Sequence, residues 1–128
     1  MTLTYKIPGI PLAFKRVLRL TEVDGVFDKE PIVRYAEYDP ELGRELSGVA
    51  IVVRGGEKVL HCSAFNNEAF AQVWLYASRG YLNKQRRNSK KALEALVKGG
   101  TIEIYMASSD NPKSMAAAIN AKLKPSWD

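Results

Sequence analysis

The chain has 128 residues, 46% of them hydrophobic and 26% charged, a balance that excludes a disordered tail and predicts one globular domain. A single cysteine, Cys62, and a single histidine, His61, exclude both an intramolecular disulfide and a four-ligand structural zinc site. No run approaches the ~18 apolar residues of a membrane span, and the first residues lack a leader's charged-then-apolar layout, so a cytoplasmic protein without membrane contact is expected.

The net charge is +5, and its placement says more than its size. From Arg79 to Lys98 there are seven cations and one acid, Glu94, a local net of +6 that leaves the remaining residues near −1. A basic segment is thus set into an otherwise balanced domain.

No repeat, low-complexity tract or Pro/Gly/Ser linker divides the chain. In the first third, Leu18 and Leu20 alternate with Val17, Arg19 and Thr21, and Asp24-Gly25 predicts a hairpin turn. A second extended piece runs from Ile32 to Tyr38, and Glu41 to Glu45 fit one helical turn after Asp39-Pro40. The uninterrupted apolar run Gly48 to Val53, the turn Arg54-Gly55-Gly56-Glu57 and the run Lys58 to Cys62 predict a hairpin whose first strand is central and covered on both faces. A helix capped at Asn66 or Asn67 follows, with Phe70, Val73, Trp74 and Ala77 on one face and Gly80 at its end.

Residues Tyr81 to Asn88 read as a polar loop, after which Ser89 caps a helix striped by Ala92, Leu93, Leu96 and Val97. Thr101 to Met106 predicts a strand, and Asn111-Pro112 opens a helix to about Lys122. The expected class is α+β, a small antiparallel or mixed sheet flanked by helices, with residues 1–46 as a β-rich extension of a core spanning 47–128.

Some of these residues, in this order, resemble the GIY-YIG nuclease family over roughly Gly48 to Asp128. Gly48-Val49-Ala50 stands at the first motif, and Leu60-His61-Cys62 follows at the second after nine intervening residues. The tail Lys124-Pro125-Ser126-Trp127-Asp128 is similar to the family's usual ending, and the basic insertion at 79–98 is similar to that of phage and restriction endonucleases in the family. The resemblance implies a pocket with two tyrosines, an arginine and a metal-binding glutamate, because phosphodiester hydrolysis needs an aligned nucleophile, stabilised charge and a metal at the leaving oxygen. Here those positions hold Ala50, Leu60, Glu68 and Met115. The resemblance therefore implies a pseudonuclease with no catalytic residues, metal or cofactor.

Other patterns have plainer explanations. His61 and Cys62 are strand neighbours on opposite faces, unable to act as a nucleophile pair, although His61 could act with an acid such as Glu68 or Glu103. Gly55-Gly56 lacks the phosphate-loop pattern. Trp127 is expected to anchor the tail.

Three functions remain open on sequence. The first is nucleic-acid binding through Arg79, Lys84, Arg86, Arg87, Lys90 and Lys91, with Tyr81 stacking on a base, as in a phage or mobile-element regulator or anti-defence protein. The second is a protein-binding or inhibitor module using the former active-site face around Ala50, Leu60, Phe65, Phe70 and Met115. The third is a divergent metal-dependent endonuclease with relocated groups. Homo-oligomerisation is open in each.

Overall fold

A computed structural model describes residues 4–27, 30–38, 47–65, 96 and 101–126. Within these residues six strands form one sheet: β1 (Thr4–Tyr5), β2 (Phe14–Phe27), β3 (Glu30–Tyr38), β4 (Gly48–Arg54), β5 (Lys58–Phe65) and β6 (Ile102–Ser108). A single helix, α1 (Pro112–Leu123), is described beside them. The class is α+β, and every described strand pairing is antiparallel.

The order across the sheet is β1-β2-β6-β4-β5, with β3 also paired to β2. Leu18 shows how β2 is placed, with Tyr38 of β3 as its partner on one side and Ile104 of β6 on the other. Strands from the first third and the last third are therefore hydrogen-bonded neighbours, and β2 is integral to the sheet rather than an appendage to it.

The β4–β5 hairpin forms where the apolar run and the glycine pair predict it. Gly55 and Gly56 have φ of 60° and 73°, left-handed values that cost a side-chain-bearing residue about 1–2 kcal/mol. The turn closes through the Glu57 N–H donating to the Arg54 carbonyl at 3.1 Å. Residues Gly48 to Val53 are all buried, as a strand flanked on both sides and covered on both faces requires.

The Asp24-Gly25 turn is a correction. Strand β2 continues through both residues to Phe27, and the pairing with β3 shifts register there, from Val23 opposite Val33 to Val26 opposite Pro31. Asp-Gly suits a β-bulge as well as a hairpin turn, because glycine supplies the unusual backbone angles that either needs.

Helix α1 follows Asn111, has proline at its start and ends at Lys124 in the left-handed conformation, with the Lys124 N–H bonded to the Asn120 carbonyl at 2.9 Å. Its Ala116 and Ile119 sit in a buried layer with Val49, Ile51, Val53, Cys62 and Tyr105, and Met115 and Leu123 pack at its margin. Burying an isoleucine fully is worth about 1.5–3 kcal/mol, so this stripe rather than helix propensity holds α1 on the sheet.

The N-terminal segment adds Ile7 and Phe14 to the same layer. It is pinned by the Lys122 ammonium donating to the Pro8 carbonyl. On the other face of the sheet, Leu18, Leu20, Ala50, Val52, Ile102 and Ile104 are buried without belonging to that layer.

The helices expected from Asn66 to Gly80 and after Ser89, the turn at Glu41 to Glu45 and the tail anchor Trp127 lie outside the described residues. Leu96 is helical and buried.

Candidate functional site

The stretch of chain that carries the basic segment is anchored at opposite ends of the β4–β5 hairpin. It departs after Phe65, which pairs with Gly48 at the open end. It returns at Thr101, whose carbonyl accepts from the Gly55 N–H at 3.1 Å, beside the turn. Arg79, Tyr81, Lys84, Arg86, Arg87, Lys90 and Lys91 all fall between these anchors and lie outside the described residues, as does Glu68.

Of the four positions that the family resemblance assigns to a pocket, three are described. Ala50 in β4 is 1% exposed and Leu60 in β5 is 5% exposed, so both are interior positions. The cross-strand partner of Ala50 is Ser63, three residues beyond Leu60, so the two do not face each other. Strand neighbours alternate between faces, and Val49 and Ile51 belong to the helix-covered layer, which puts Ala50 on the opposite face. Met115 packs against the helix-covered layer. Ala50 and Met115 are therefore separated by the sheet and do not line one cleft.

His61 and Cys62 divide as strand alternation predicts. Cys62 is buried in the helix-covered layer, while His61 pairs with Val52 of the other face. Glu103 shares the alternation of Tyr105 and Ala107 and so belongs to the helix side, which separates it from His61 as well.

Glu103 has partners that sequence reasoning missed. It is 5% exposed, and its Oε2 accepts from Arg16 Nη1 at 3.1 Å and from the Tyr105 hydroxyl at 3.0 Å. The Tyr105 ring lies 5.6 Å from that of Tyr5, whose hydroxyl donates to the Glu57 carbonyl in the hairpin turn at 2.8 Å. Burial foremost, then the hydrogen bond to Glu103 and its negative charge, push the Tyr105 hydroxyl up to about 12, and burial raises Tyr5.

An arginine, a carboxylate and two tyrosines thus converge, but around a paired and desolvated carboxylate. That arrangement locks β2 to β6; its one Oε2 already holds two donors. A pattern was present for it: Glu103 and Tyr105 are two apart in an otherwise apolar strand and must share a face.

Two shallow cavities accompany these features. One of about 330 Å³ lies at the start of α1, lined by Ala64, Asn111, Pro112, Lys113 and Ser114. The other, about 290 Å³, lies along the start of β2 and the end of β6 between Leu12, Lys15, Met106 and Ser108. Among the described residues no group of three or more His, Cys, Asp or Glu side chains is placed to hold a metal, and no helix is long and apolar enough to cross a membrane. The chain matches no protein-family model, no curated protein and no solved structure.

Proposed function

We propose that this chain binds nucleic acid through the segment Arg79–Lys98 and does not cut it. The observation that carries the reading is the charge distribution, a net of +6 in twenty residues against about −1 for everything else. Clustered Lys and Arg neutralise phosphates and release their counterions, which supplies affinity without sequence readout. Arg86 and Arg87, flanked by Lys84, Lys90 and Lys91, are the principal contacts, with Tyr81 available to stack on a base. A basic protein of this kind would act by occupying nucleic acid, the role of a phage or mobile-element regulator.

The reading rests on charge rather than on the GIY-YIG resemblance, whose positions Ala50 and Met115 lie on opposite faces of the sheet. That resemblance supplies the reason to test for strand scission. The interior placement of Ala50 and Leu60 also leaves them unable to form a protein-docking face, so the inhibitor reading has less support.

The test is a titration of labelled duplex DNA across a series of salt concentrations. The affinity of the native chain falls steeply and linearly on a log–log scale, and Arg86→Ala with Arg87→Ala lowers that slope by about 1.8, at roughly 0.9 per phosphate contact. Salt-independent binding, or a slope unchanged in the double variant, would overturn the assignment.

A further inference from the structure

We infer that Arg54 and Lys58, at the tip of the β4–β5 hairpin, are a second phosphate-contact surface continuous with the basic segment; this extends the nucleic-acid reading and rests on it. The two residues are direct cross-strand partners, so they project on the same face, and both are exposed. Like charges directly opposite one another repel and lower stability. No ion pair relieves them among the described residues.

Neither of the two acids nearest in the structure's connectivity pairs with them. Glu103, whose Oε1 lies beneath Gly56, is neutralised by Arg16. Glu57 is exposed within the turn, and no ion pair joins its carboxylate to either cation. An unrelieved cationic pair at an exposed turn fits an external anion better than it fits the fold.

The second observation is where this tip sits. Thr101, held to the tip through the Gly55 N–H at 3.1 Å, comes three residues after Lys98, the last cation of the basic segment. Three residues of chain span at most about 11 Å, roughly three base-pair steps along a duplex. The basic segment therefore ends within reach of Arg54 and Lys58. Gly55, next to Arg54, has nothing within 4 Å of the place a side chain would occupy, which leaves the backbone open to close approach by a phosphodiester.

The experiment compares salt slopes for the native chain, the Arg54→Gln/Lys58→Gln variant and the Arg86→Ala/Arg87→Ala variant, on random-sequence duplex DNA and on duplex RNA of the same length. The inference expects each double variant to lower the slope by about 1.8 on the duplex that binds. A slope retained in Arg54→Gln/Lys58→Gln but lowered in Arg86→Ala/Arg87→Ala overturns the hairpin contact alone. A native chain that binds neither duplex in a salt-dependent way overturns the basic-segment reading and the inference with it. Thermal unfolding supplies the control: Lys58→Glu, which turns repulsion into attraction across the hairpin, raises the melting temperature while weakening binding. A lowered melting temperature in Arg54→Gln/Lys58→Gln would mean the pair serves the fold, and would overturn the inference.

Discussion

At the scale of single residues, the burial of Tyr105, with Glu103 beside it, makes stability fall in alkali. An unfolded tyrosine loses its proton near pH 10, whereas Tyr105 in the fold keeps it to about 12. Between those values the unfolded chain binds fewer protons than the native one, so stability is intact below pH 10 and falls as pH rises towards 12. The loss is at most about 2–3 kcal/mol, reduced by whatever solvent screening reaches the hydroxyl. Urea unfolding of the native chain and of Tyr105→Phe over this range checks it: the native chain loses its advantage as pH rises, and a difference that stays constant would contradict the account.

The carboxylate beneath that hydroxyl makes a second prediction. Glu103→Gln turns the charge-assisted bond from the Arg16 guanidinium into a neutral one, at a cost of about 1–3 kcal/mol. Arg16→Met costs less in the Glu103→Gln background than alone, because the ion pair is already lost there and the introduced amide oxygen would still accept from Tyr105. Additive losses in a denaturant double-mutant cycle would show that the pair does not act as a unit.

At the scale of elements, what could be read in the sequence follows from how local each determinant is. The β4–β5 hairpin and α1 are specified by short stretches, an apolar run with Gly55-Gly56 and the Asn111-Pro112 start, and both stand where those residues predict. Strand β2 is not specified that way. Strict alternation would put Phe14, Arg16, Leu18 and Leu20 on one face, yet the pairing with β6 shifts between Arg16 and Leu18, leaving Val17 as the extra residue. Phe14 therefore joins the helix-covered layer and Leu18 and Leu20 do not. A bulge depends on the partner strand, so nothing in the local pattern announces it. The same dependence hid the Arg16–Glu103 pair, whose members are 87 residues apart.

Two element-level substitutions test the packing directly. Ile119→Ala removes a fully buried side chain from the α1 stripe and costs about 2–5 kcal/mol in thermal or denaturant unfolding. Gly55→Ala and Gly56→Ala each incur backbone strain of about 1–2 kcal/mol. Gly56→Ala costs more, because its new methyl would meet Glu103 Oε1 at 3.3 Å while that of Gly55 meets open space. Equal losses at the two positions would count against the described fit of the turn over Glu103.

At the scale of the whole molecule, the sequence revealed the charge asymmetry but could not assemble a pocket. Charge is additive along a chain and can be counted; a pocket needs residues from distant strands to converge on one face. The four positions aligned to a nuclease site show the difference, since Ala50 and Met115 occupy matching places in the sequence order and opposite faces of the sheet. What the molecule does show at this scale is a six-stranded sheet whose β4–β5 turn is hydrogen-bonded to Thr101, three residues along the chain from the last cation of the basic segment.

The central claim, binding without cutting, is tested most directly on one gel. Supercoiled plasmid is incubated at low salt with increasing protein and either magnesium or manganese, and run with and without removal of protein. The claim predicts progressive retardation that reverses completely to supercoiled plasmid once protein is removed. Nicked or linear plasmid that requires the metal, or a plasmid whose mobility never changes, would contradict it.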